Sequence, residues 1–67
     1  MQTIHSRLQG LSILIVEDES STRKWLVRVL QLYFKEVRSA SDAMEALEQF
    51  IESPSNIVVA DIKMPEV

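Results

Sequence analysis

The residues best equipped for chemistry are three carboxylates placed directly after two apolar runs. Glu17 and Asp18 follow Ile13-Leu14-Ile15-Val16, and Asp61 follows Ile57-Val58-Val59-Ala60. Carboxylates gathered at one place repel, and are stabilised by a cation, by shared protons or by both. Their hard oxygens suit Mg²⁺ or Mn²⁺, ions that keep several waters and often bridge to a phosphate. A carboxylate can also act as a nucleophile and form an acyl phosphate. The alternative for the Glu17-Asp18 pair is that acids mark a solvated loop and a helix start, where negative charge is favoured. The further acid at the end of a second apolar run, Asp61, turns the balance toward a site.

Composition removes other chemistries. The 67 residues allow one small domain, and the absence of Cys removes disulfides, thiolate metal sites and thiol nucleophiles. Zero Cys fits a reducing compartment, so a cytoplasmic location is expected. A single glycine, Gly10, excludes the glycine-rich cradles of dinucleotide and P-loop sites. A net charge of −3 gives no electrostatic reason for direct nucleic-acid binding. The longest apolar runs are four residues, so neither a signal peptide nor a membrane span is expected.

These acids need elements to position them. Residues 1–10 read as a polar leader ending at Gly10. Residues 12–16 form a short run rich in β-branched types, suited to a strand buried on both faces. Ser20 or Ser21 should start a helix whose apolar positions 25, 26, 29, 30 and 33 recur at helical spacing, ending near Phe34. Residues 36–40 are a half-polar strand of the kind found at sheet edges. Ser41 or Asp42 caps a second helix, with Glu45 at capping-box spacing from Asp42, an apolar stripe of Ala43, Ala46, Leu47, Phe50 and Ile51, and a stop at Ser53-Pro54. Residues 57–60 are a third strand, closed by Asp61.

The β-α-β-α-β order argues for a parallel sheet with crossover helices. The wholly apolar first strand belongs at the centre and the half-polar second at an edge, giving the order 2-1-3. Right-handed crossovers then put the two helices on opposite faces. The direction of winding reverses between strands 1 and 3, and ligands of open α/β sheets bind at the carboxyl ends beside such a switch point. Glu17, Asp18 and Asp61 are thereby expected to share one crevice.

Ile-Leu-Ile-Val-Glu-Asp-Glu at 13–19, with Val-Val-Ala-Asp-Ile-Lys-Met-Pro-Glu at 58–66, resembles the receiver domain of two-component response regulators. The resemblance covers residues 11–67 and implies a flavodoxin-like sheet, here a partial receiver with the first three strands and two helices of about five each. It implies that Asp61 accepts a phosphoryl group from a histidine kinase or phosphotransfer protein. It further implies that Glu17, Asp18, Asp61 and the backbone carbonyl of Lys63 hold the Mg²⁺, and that the Lys63 side chain tunes the acyl-phosphate lifetime. The family's switch hydroxyl after strand 4 and its phosphate-pairing lysine after strand 5 have no counterpart in these residues.

Two other functions compete. One is a half-receiver that acts as a self-associating module, a dimer formed through the apolar edge of strand 3. The other is a Mg²⁺-dependent phosphohydrolase with Asp61 as nucleophile, weakened because Lys63 stands where a second carboxylate would serve as acid/base. The remaining polar and aromatic residues read more simply. His5 lacks the neighbours of a phosphodonor histidine. Trp25 and Tyr33 read as core packing, and Ser20, Ser21 and Thr22 as capping residues with no histidine to activate them. Arg23 and Lys24 read as a solvated face, with kinase docking as the alternative.

Overall fold

A computed structural model of the chain describes residues 9–60. Three strands and two helices alternate: β1 (Ser12–Val16), α1 (Ser20–Leu30), β2 (Glu36–Ala40), α2 (Ala43–Glu52) and β3 (Ile57–Ala60). The sheet is parallel in the order β2-β1-β3, as the strand compositions predict. Central β1 buries both of its faces: Leu14 is 0 % exposed, and Ile13 and Ile15 are 3 %.

Period-two alternation separates the two faces. Leu14 lies beside Arg38 and Val58, and Ile15 beside Ser39 and Val59. On the Leu14 face, α2 packs its Ala46 against Leu14, Ala40 and Val16, which form the core cluster. On the other face, Arg23, Val27 and Arg28 of α1 lie beside Ser39. The helices therefore cover opposite faces, as right-handed crossovers require.

Helix α1 ends earlier than its periodicity suggests. The hydrogen bonds of Leu32 N to Val29 O (3.1 Å) and Tyr33 N to Leu30 O (2.9 Å) tighten the chain after Leu30 into three-residue turns. Lys35 N then bonds Leu11 O at 2.9 Å and leads into β2. Trp25 and Tyr33, expected in the core, are 61 % and 40 % exposed. Leu26, Val27, Val29 and Leu30 are the half-buried positions instead.

Helix α2 starts as its capping signal predicts. Asp42 Oδ1 accepts from Glu45 N at 2.8 Å, while Glu45 Oε2 accepts from Ser41 N (3.2 Å) and Ser41 Oγ (2.7 Å). The reciprocal half of the box thus closes on Ser41 rather than on the cap residue itself. Only Ala46 of the predicted stripe is buried; Leu47, Phe50 and Ile51 remain exposed, the first two lining an apolar groove shared with Val58.

Arg38 fastens the far end of α2 to the sheet. Its guanidinium donates to Gln49 O (3.4 Å), to Ser53 O and to Ser55 Oγ (2.6 Å), joining β2, the helix C-terminus and the turn before β3. Its Nε is buried without a hydrogen-bond partner. The Glu36 carboxylate 3.9 Å away is a charge contact, too long to count as a hydrogen bond.

Candidate functional site at the carboxyl end of the central strand

Glu17 directly follows the last residue of β1. Its N–H donates to Ala40 O at 3.0 Å, extending the ladder between β1 and β2 by one step. Its side chain is 6 % exposed, and its Oε2 accepts from Glu19 N at 3.0 Å. A buried carboxylate needs donors, and here one comes from the loop it must shape. The Glu17 carbonyl oxygen accepts from Arg23 NH1 at 2.8 Å. Asp18, next along the loop, has an exposed side chain.

Glu19 has a different task from its two acidic neighbours. It is the N-cap of α1, with its Oε1 accepting from Thr22 N at 2.7 Å and from Thr22 Oγ1 at 2.9 Å. Ser21 Oγ also donates to that carboxylate, at 2.5 Å. This corrects the expectation that the serines cap the helix. A serine hydroxyl reaches one backbone donor, whereas the longer carboxylate collects three donors and adds negative charge at the positive helix end. Arg23 is also no merely solvated residue. Its backbone N–H closes the first helical turn on Glu19 O (2.9 Å) while its guanidinium holds Glu17 O. The only sequence signal for this was a basic residue one turn into a helix that follows an acidic loop.

Glu17 and Asp18 thus lie together at the carboxyl end of β1, the position predicted for them. Val16 is paired with Ala60, so β3 ends level with β1 and at the same side of the sheet. Asp61 and Lys63 follow Ala60 in sequence and lie outside the described residues, as does His5. Among the described residues no group of three or more His, Cys, Asp or Glu is placed to hold a metal ion. The donor chemistry of Glu17 and Asp18, two adjacent hard-oxygen carboxylates, fits a divalent cation of the Mg²⁺ type with an incomplete protein shell.

The order and pairing of the strands agree with comparison against known proteins. Residues 13–67 match the response regulator receiver domain. The chain belongs to this family. Similar proteins include a probable chemotaxis protein CheY of Rhizobium etli, 34 % identical over 60 residues that cover 88 % of this chain and 46 % of the relative. A probable transcriptional regulator ycf27 of Porphyridium aerugineum is 38 % identical over 60 residues, covering 90 % of this chain and 25 % of that protein. Among solved structures, the N-terminal domain of an uncharacterized protein from Wolinella succinogenes superposes with a TM-score of 0.76. It is 38 % identical and covers 87 % of this chain and 47 % of the other. This receiver chain therefore spans between a quarter and a half of the length of these relatives. Receiver domains are regulatory modules that generally bind Mg²⁺ at their phosphorylation site and engage histidine kinases or phosphotransfer proteins. No helix of the described residues is long and apolar enough to cross a membrane.

Proposed function

We propose that this receiver accepts a phosphoryl group on Asp61 from the phosphohistidine of a sensor kinase or phosphotransfer protein. The observation that carries the reading is the pairing of Val16 with Ala60, which ends β1 and β3 level. Glu17 and Asp18 follow one of these strands in sequence, and Asp61 follows the other. In the transfer, a carboxylate oxygen of Asp61 attacks phosphorus. The new P–O bond forms as the P–N bond to the donor imidazole breaks, and the leaving nitrogen keeps the electron pair and takes up a proton. Glu17, Asp18, Asp61 and the Lys63 carbonyl would hold the divalent ion. When bound, that ion offsets the charge of the carboxylates and phosphoryl oxygens. The Lys63 side chain would adjust how long the acyl phosphate survives.

The test is incubation of the chain with a small phosphodonor in the presence of Mg²⁺. Intact-mass analysis should give one added phosphoryl, and Asp61→Asn should abolish it. Labelling that persists in that variant would sink the assignment.

A second reading is favoured by one observation. Val58 and Val59 of β3 are 48 % and 49 % exposed, and β3 pairs only with β1 among the described strands. An apolar strand edge is a template for strand addition, so this reading makes the chain a self-associating module, a dimer across β3. Phosphoryl uptake by a dilute, monomeric chain would favour the first reading over the second.

A further inference from the structure

The loop that carries Glu17 and Asp18 is held by contacts of unequal strength. Glu17 is anchored at its N–H by Ala40 O (3.0 Å) and through its carboxylate by the Glu19 amide (3.0 Å). Its carbonyl is held by Arg23 NH1 at 2.8 Å, the one contact to this loop made by a cationic side chain among those described above. A guanidinium bound to a carbonyl makes a charge-assisted hydrogen bond, stronger than a neutral one. Arg23 sits in the first turns of α1, and its own N–H is bonded to Glu19 O. The Arg23 side chain therefore ties the helix start to the strand end directly, beside the link that the Glu17 carboxylate makes to the Glu19 amide.

Two consequences of that placement oppose each other. A fixed positive charge beside two carboxylates repels a metal cation and would weaken its binding. A fixed loop keeps the carboxylates in one geometry and so removes the ordering that binding would otherwise require. The charge is partly solvated, since Arg23 is only half-buried, so screening reduces the first effect. The hydrogen bond itself lies in a part-buried position, where it is less exposed to competition from water.

We infer that Arg23 is a positioning residue for the divalent-cation site. By holding the Glu17 carbonyl it fixes the Glu17-Asp18 loop, and it raises cation affinity despite its own charge. The inference rests on the cation reading given under Proposed function.

The experiment compares Arg23→Gln, Arg23→Lys and Arg28→Gln in the full chain. Arg28 lies on the same helix, and its replacement removes the same charge. Mg²⁺ titrations followed by Trp25 fluorescence should show affinity about tenfold weaker in R23Q, the range found when partners that orient metal ligands are removed. R23K should stay within about threefold of the parent, because a lysine can still donate to the carbonyl, and R28Q should be unchanged or bind slightly tighter. R23Q that binds as tightly as the parent or more tightly, or R28Q that weakens binding equally, would overturn the inference. A readout without metal separates this inference from the cation reading. Amide hydrogen exchange at Glu19 should speed up several-fold in metal-free R23Q and recover in R23K. If exchange is unchanged, Arg23 does not fix the loop. If exchange responds but the parent chain shows no Mg²⁺ response, the positioning of the loop stands and the cation reading fails, together with the claim that Arg23 serves it.

Discussion

Asn56 and Ser12, 44 residues apart in sequence, hold each other through three hydrogen bonds. Asn56 Oδ1 accepts from Ser12 N (2.9 Å) and Ser12 Oγ (3.2 Å), and Asn56 N donates to Ser12 Oγ (3.1 Å). The two residues stand at the amino ends of β1 and β3, where the pairing of Ile13 with Ile57 begins. A parallel pair has no hairpin to set its register, so a polar clasp at the strand starts can do so. Asn56→Ala removes the two bonds accepted by Oδ1 but keeps the one donated by the backbone N, and at this exposed site should lower stability by about 1–2 kcal/mol. Urea unfolding followed by circular dichroism measures this. The Ser12→Ala, Asn56→Ala double variant should cost less than the sum of the singles.

Arg38 makes a different kind of fastening. It gathers two carbonyls from the end of α2 and the hydroxyl of buried Ser55. A cation at a helix C-terminus is also favoured by the helix dipole. Arg38→Met keeps the aliphatic stem but leaves Ser55 without this donor, and should cost about 2–3 kcal/mol. Arg38→Lys should recover only part, because one ammonium cannot match the planar fork. Removing Glu36, 57 % exposed at its side chain and 3.9 Å from Arg38, should cost less than about 0.5 kcal/mol.

The Glu45 carboxyl titrates below its ordinary value of 4.5. The chief cause is the hydrogen bond from the Ser41 hydroxyl, followed by that from the Ser41 backbone, which together outweigh slight burial and the nearby Asp42 charge. A folded-state value below the unfolded one stabilises the chain above the unfolded value, and the contribution is lost as pH falls through the folded value. Thermal melts of the parent chain and Glu45→Gln should therefore differ most near neutral pH and converge on acidification below 4.5. A gap that stays constant down to pH 2.5 would refute this role for Glu45.

Much of the fold was legible because strand composition and order act together. The wholly apolar Ile13–Val16 run and the half-polar 36–40 segment fix which strand is central, and right-handed crossovers do the rest. Asp42 and Glu45 marked the start of α2 because capping chemistry is local. Trp25 was misread for the opposite reason. Helical spacing says which residues share a stripe, but not whether a neighbouring element covers it, and Trp25 is 61 % exposed. Arg23 was missed because its partner is the Glu17 carbonyl, a backbone atom whose placement no residue type announces, and Glu19 because its donors, Thr22 N, Thr22 Oγ1 and Ser21 Oγ, gather only once the first turn of the helix is formed. Glu17 and Asp18 could be placed from sequence because a strand end followed by acids positions them within one residue.

Leu14 and Trp25 offer a direct contrast between burial and side-chain size. Leu14 is 0 % exposed and central to the cluster with Ala40 and Ala46. Leu14→Ala should cost about 2–5 kcal/mol through lost transfer energy and a cavity. Trp25→Ala removes a much larger side chain, yet at 61 % exposure it should cost under about 1 kcal/mol. Paired denaturation curves decide between burial and size. A Trp25→Ala loss as large as that of Leu14→Ala would mean that the tryptophan is covered in solution.

The edge formed by β3 yields the last prediction. Val58 shares the apolar groove with Leu47 and Phe50, and Val59 lies on the opposite face of the sheet, so both faces of the strand present exposed apolar area. Apolar area exposed beside open strand hydrogen-bonding groups favours pairing with another strand. A two-fold arrangement with β3 against β3 satisfies both copies with one contact. Sedimentation velocity over a concentration series should show a rising dimer fraction for the parent chain. Val59→Lys, which places a charge on that edge, should shift the equilibrium toward monomer by about tenfold or more, because a like-charged pair would face itself across the two-fold axis. Ile51→Lys serves as the control, since Ile51 is equally apolar and 72 % exposed but lies on α2 rather than on the strand. If Ile51→Lys dissociates the dimer and Val59→Lys does not, the helix face is the contact. If the parent remains a compact monomer at high micromolar concentration, the β3 edge drives no association.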